Sequence, residues 1–247
     1  MVAQRESGGI TQHIGATEVP IEVVESICGE LLQQWKITIP GLLFIDTPGH
    51  RAFVNLRTRG GSLADLAVLV IDVHDGLQPQ TIESVSILKR FRTPFIVVAN
   101  KIDRLGWKGE DISFSKSEKE QAERVLQALE EKMWDLIGDL SKRGFESDRF
   151  DRIRDFRKKI AIVPVSAKKG VGVSEVLTLI SGLSQRFLEE KLALHLKGEA
   201  KGTILEVKEE TGLGTTIDVI LYDGTLQKGD SIIVGGLDEI IATKVRA

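Results

Sequence analysis

The chain has 247 residues, enough for one or two domains that each bury their own core. Its 42% hydrophobic and 28% charged composition is ordinary for a soluble globular protein, and no apolar run approaches the ~20 residues of a bilayer span. With 33 basic against 36 acidic groups and a net charge of -3, it is not a protein that coats nucleic acid by bulk charge, although a local contact with RNA stays open.

The opening residues, MVAQRESGG, contain no apolar signal-peptide core, so a cytoplasmic protein without membrane attachment is expected. The single cysteine, Cys28, can form neither an internal disulfide nor a zinc cluster and reads as a small buried hydrophobe. From about Gly41 to Leu188, short apolar runs alternate with helix-patterned stretches. The runs 41–45, 66–71, 94–99 and 160–165 read as strands, apolar without alternation, as a parallel sheet covered on both faces requires. Helices are predicted near Thr81–Phe91, Ser117–Lys142 and Val173–Leu188. The middle one places Leu126, Leu129, Met133, Trp134, Leu136, Ile137 and Leu140 on one broad packing face. After Gly198 the texture changes to short strands, Gly202–Val207, Thr215–Tyr222 and Ser231–Val234, separated by glycine-containing turns. That is the rhythm of an antiparallel barrel, here with too few strands to close. The fold class expected is α/β, a mostly parallel sheet with helices on both faces, followed by a partial antiparallel β-barrel.

Three short motifs follow three of these strands, at the edge where open parallel sheets bind ligands. Asp46-Thr47-Pro48-Gly49-His50 follows the first. Its carboxylate can hold Mg²⁺ through a water, and the Gly49 amide can approach a terminal phosphate with no side chain in the way. Asn100-Lys101-Ile102-Asp103 follows the third strand. An ionised Asp103 can accept from the ring NH and exocyclic amine of guanine, whereas adenine would leave it unpaired at a cost. Asn100 would tie loops together near the base, and the Lys101 stem would lie along ring and sugar. Ser166-Ala167-Lys168 follows the fourth strand, and its backbone amides would reach the guanine carbonyl.

These residues resemble the guanine-binding motifs of the GTPase superfamily. Gly8-Gly9-Ile10-Thr11-Gln12-His13-Ile14-Gly15-Ala16 is similar to the first switch of the initiation factor two and five-B GTPases, and the histidine after Gly49 is similar to translational GTPases in general. Glu206–Gly214 and the insert Gly144–Phe150 resemble the archaeal or eukaryotic five-B type. The resemblance runs through nearly the whole chain. It implies a P-loop GTPase-like domain over 1–197 and the start of a translation-factor barrel over 198–247. It also implies GTP or GDP and Mg²⁺ as ligands. Thr11 would meet the metal together with Asp46, and His50, beside Gly49, would orient the attacking water. The implied partners are both ribosomal subunits, initiator tRNA and other initiation factors, and a monomer is the simplest state. No role is assigned to His13, and His74 and His195 read as structural or exposed.

A phosphate-binding loop should read G-x-x-x-x-G-K-[ST], yet the dipeptide Gly-Lys occurs nowhere in the chain. By the resemblance, that loop and the first strand would precede Met1, and the barrel would continue beyond Ala247. The missing strand would lie between the strands ending at Ile45 and Ile71, leaving both with unpaired edges. An unstable or aggregation-prone chain, unable to hydrolyse GTP alone, is therefore expected. An elongation-type GTPase and a non-hydrolysing, ribosome-associated binding module are the alternatives. The Gly8–Ala16 and Phe145–Phe150 segments favour initiation over the first, and the intact guanine motif weighs against the second.

Overall fold

The computed structural model describes residues 15–33, 37–46, 64–109, 113–188, 198–236 and 239–246. The chain divides into two compact units, Met1–Glu189 and Glu190–Ala247.

The first unit is organised by strands β1 (Gly15–Pro20), β2 (Gly41–Asp46), β3 (Ala67–Asp72), β4 (Phe95–Asn100), β5 (Ser147–Arg149) and β6 (Ile160–Pro164). Its helices are α1 (Ile21–Cys28), α2 (Glu30–Gln33), α3 (Pro79–Phe91), α4 (Phe114–Glu118), α5 (Glu123–Ser141) and α6 (Val173–Leu188). Four strands form a parallel sheet in the order β3–β4–β6–β5. Successive side chains of a strand point to opposite faces, which explains the unbroken apolar runs. Phe95, Val97 and Ala99 of β4 enter one core with Val85 and Leu88 of α3 and Val125, Leu129, Met133, Leu136 and Leu140 of α5. Ile96 enters the opposite core with Val24 and Cys28 of α1 and Leu177 and Ile180 of α6. The expected α/β class therefore holds, with helices on both faces. Cys28 is buried as expected, its thiol donating to the Ser174 carbonyl (3.4 Å).

Several elements differ from the sequence reading. The single helix predicted from Ser117 to Lys142 is two helices. Ser113 caps α4, its hydroxyl accepting from the Lys116 amide (3.4 Å). Trp107 then donates to the Ser117 hydroxyl (2.8 Å), and Gln121 donates to the carbonyls of Ser117 and Lys108 (both 2.8 Å). These bonds hold a turn between α4 and α5 that helical periodicity does not register. Trp134, assigned to the packing face, is 58% exposed, while Val125 takes a buried place instead. β1, α1 and α2 were not predicted at all. Gly15–Pro20 is an edge strand with five of its six residues exposed, so it lacks the apolar run that marks the other strands.

β1 and β2 make a separate antiparallel pair. Among the described residues β2 has no neighbour but β1, and β3 none but β4. Leu43 of β2 and Val70 of β3 are 51% and 58% exposed. β2 nevertheless shares a core with β3, since Leu42 and Phe44 pack in the cluster that takes in Val68. The two strands thus border one core without being paired.

The second unit contains β7 (Lys201–Glu210), β8 (Gly214–Asp223), β9 (Ser231–Gly235) and β10 (Ile240–Lys244). β7 pairs with β8 and β9 with β10, both antiparallel, as two separate two-stranded sheets. The alternating pattern forms the expected strands, but Val207, Tyr222, Ile233 and Ile240 stay exposed.

Candidate functional site

Parallel pairing brings the ends of β3, β4 and β6 to one edge, with Asp72 opposite Asn100. Beyond the strands the loops stay joined. The Val165 amide donates to the Ala99 carbonyl (2.8 Å), and the Ile102 amide to the Val165 carbonyl (3.2 Å). The Asn100–Asp103 and Ser166–Lys168 segments therefore leave the sheet side by side.

Side chains lock the two loops together. Asn100 Oδ1 accepts from its neighbour, the Lys101 amide (2.7 Å), and from the Ala167 amide across the gap (3.0 Å). Lys101 has a left-handed backbone (φ 70°), uncommon for a residue with a side chain, which the first of these bonds supports. The chain then enters a single 3₁₀ turn, Ile102–Leu105, that buries Ile102 and leaves Asp103 half-exposed. Asp103 Oδ1 accepts from the Ser166 hydroxyl (2.6 Å). Ser166 is itself fully buried, with its amide donating to the Val171 carbonyl (2.9 Å). A third tie runs from Lys169 Nζ to the Trp107 carbonyl (2.8 Å). Gly172 permits this close path. Its φ is +82°, and a Cβ there would stand 2.3 Å from the Pro164 carbonyl oxygen.

What the locked loops leave over decides their chemistry. Among the described residues Asp103 Oδ2 takes no protein hydrogen bond. The Ala167 amide, one of those expected to face a ligand, is taken by Asn100, and the Lys168 amide has no acceptor among the described residues. One carboxylate oxygen and one amide N–H are thus left over beside the bonded pair. That set suits a flat ring with an adjacent pair of N–H donors and a carbonyl, as guanine has. Lys101 does not project freely. Its ammonium binds Asp72 Oδ2 (2.8 Å), which also accepts from Arg104 Nη1 (3.1 Å). Burial pushes the Asp72 carboxyl upward. The Lys101 and His74 hydrogen bonds and the Lys101 and Arg104 charges outweigh it and hold the group below its ordinary range. Asp72 and Arg104 escaped the sequence reading. The available signal was an acid closing the apolar run Ala67–Ile71 at the sheet edge that bears Asn100.

Asp46 ends β2, exposed and opposite Gly15. Thr11, Gly49 and His50 lie outside the described residues. Among the described residues no three His, Cys, Asp or Glu side chains cluster to hold a metal. Mg²⁺ usually keeps several waters and takes one or two carboxylates together with phosphate oxygens. A single aspartate at a strand end is compatible with that habit. A cavity of about 340 Å³ opens elsewhere, between the turn Val73–Gly76 and α5, and none of the motif residues lines it.

Residues 1–186 match the elongation factor Tu GTP binding domain family. The chain belongs to that family. Within it, the chain is 63% identical over 250 aligned residues to the probable translation initiation factor IF-2 of Thermococcus kodakarensis, spanning all of this chain and 22% of that protein. It is also 63% identical to the protein of the same name from Thermococcus onnurineus, spanning 42% of it. Among solved structures it resembles GDP-bound aIF5B from Aeropyrum pernix, with 50% identity and a TM-score of 0.89, covering all of this chain and 42% of that one. The resemblance to the initiation factor two and five-B class stands on these relatives, and the chain spans less than half the length of each.

Proposed function

We propose that the whole protein is a translation initiation GTPase and that the loops at the β4 and β6 ends are its guanine-recognition site. The observation that carries this reading is the cross-linked loop pair, Asn100 to Ala167 and Asp103 to Ser166, with Asp103 Oδ2 left without a protein hydrogen bond among the described residues. In this reading Asp103 accepts from the two donors of guanine, the Lys168 amide meets its carbonyl, and the Lys101 stem lies along the ring. Asp46 and Thr11 would hold Mg²⁺, which supplies charge neutralisation at the phosphates when bound. His50, with Gly49, would orient the attacking water. The phosphate-binding lysine has no counterpart in this sequence, so the chain by itself does not turn over GTP. Binding both ribosomal subunits, initiator tRNA and other initiation factors, promoting subunit joining and initiator tRNA placement, would fall to the whole protein. It would act as a cytoplasmic monomer, with residues 1–197 forming the nucleotide domain and 198–247 belonging to a β-barrel. Among the described residues no helix is long and apolar enough to cross a membrane.

The test is Asp103→Asn in the whole protein, with GDP and xanthosine diphosphate as competitors. An asparagine amide can donate to the xanthine 2-carbonyl but offers guanine a donor facing a donor. GDP affinity is expected to fall on the order of a hundredfold, and xanthosine diphosphate to become the preferred ligand. An unchanged base preference would remove Asp103 from the site.

A further inference from the structure

The sequence motifs supply the groups that touch a base, but not what fixes the longest of them. Lysine is long and rotamer-rich, and a flexible platform loses affinity when it must be ordered on binding. Lys101 is 53% exposed at its side chain, yet its ammonium is held at 2.8 Å by Asp72, whose side chain is only 12% exposed. The acid is the fixed partner. Its Oδ1 accepts from the His74 amide (2.9 Å), and its carbonyl accepts from the Gly76 amide (3.0 Å). Arg104 reaches the same Oδ2 from the far end of the 3₁₀ turn. Ion pairs with cations this exposed add little to folding stability. Their effect here is geometric, because both cations stand on the segment Lys101–Arg104, on either side of Asp103.

We propose that Asp72 is a positioning residue for guanine-nucleotide binding, holding the Lys101 ammonium so that the Lys101 stem stands ready as the platform for the purine ring. This rests on the guanine reading above. Asp72 touches no part of the ligand and acts through Lys101.

The experiment titrates the whole protein, ¹⁵N-labelled selectively at lysine and alanine, with GDP and separately with ADP, following the Lys101 and Ala167 amides to millimolar ligand. GDP is expected to shift both amides and ADP neither. Asp72→Asn is expected to weaken GDP binding about fivefold, with Asp72→Glu recovering part of the loss. In a Lys101→Met background, which keeps the apolar stem and removes the ammonium, Asp72→Asn is expected to change nothing further. A purely structural role would instead give the same loss in both backgrounds. That result, or wild-type affinity in Asp72→Asn, overturns the proposal and leaves the guanine site standing. If GDP shifts neither amide of the unmodified whole protein, the guanine site falls and the proposal falls with it.

Discussion

Asn100 holds two backbone N–H groups on one oxygen, and only the Ala167 bond reaches the other loop. Removing the amide in Asn100→Ala leaves the Ala167 donor without its partner and the left-handed Lys101 without support. A lost hydrogen bond of this kind costs about 1–2 kcal/mol, which urea unfolding would read as a lowered midpoint with an unchanged slope. Asp72 gives a second prediction at this scale, through acid stability. Its folded-state pKa lies below the unfolded one, so its contribution is fully present above the unfolded value of about 4 and is lost as pH falls through the folded value. Glu130 beside Arg152 and Asp148 beside Lys159 are lowered too and act in the same window. Asp72→Asn should therefore reduce, not abolish, the loss of stability below about pH 4 and leave its slope above pH 6 unchanged. Thermal midpoints across that range would show it. An identical acid limb in the variant would mean that the pair with Lys101 is too weakly formed in solution to titrate.

Gly172 shows how one element constrains the next. β6 must end, release Ser166 into its bridge with Val171 and start α6 within a few residues. A side chain at 172 would meet the Pro164 carbonyl oxygen while φ stays near +82°. Gly172→Ala is expected to cost at least about 2 kcal/mol and to disturb the Ala167 amide signal along with stability. On α5, Met133→Ala empties a fully buried site and should cost about 2–5 kcal/mol, whereas Trp134→Ala, 58% exposed, should stay under about 1 kcal/mol. Denaturant unfolding of both variants separates the faces of the helix. The sequence allowed that periodicity to be read but not its phase at the edges, because Trp134 is apolar by type and outward by position. β4 and β6 were legible because burial on both faces leaves a continuous apolar run, and β3 because its run Ala67–Ile71 is equally unbroken although Val70 is exposed. β1 was not, since an exposed edge strand carries no such run. The Asn100–Asp103 and Ser166–Lys168 loops, proposed here to take guanine, could be singled out in the sequence because such chemistry demands specific residue types at fixed spacing. Asp72 was not, because its ion pair with Lys101 depends on lying opposite Asn100 across the sheet, a relation that only folding creates.

Pairing across the sheet also sets how stability is distributed through the molecule. β4 has β3 on one side and β6 on the other, and its residues 95–99 are all buried. β2 and β3 each have a single strand neighbour among the described residues, and both present apolar side chains to solvent. Unpaired strand edges with exposed apolar groups invite association with other chains. The second unit is weaker still in these terms. Among the described residues its strands pair two by two, with Ile233 and Ile240 more than three-quarters exposed, and isolated two-stranded hairpins are marginal in water. Native-state hydrogen exchange of the 247-residue chain should therefore grade steeply. Amides of β4 and β6 are expected to exchange slowest, those of β2 clearly faster, and those of β7–β10 fastest, with light scattering rising as concentration increases. Strong and equal protection in β2 and β3 would show that both edges are covered in solution, and the expected instability of the chain would be withdrawn.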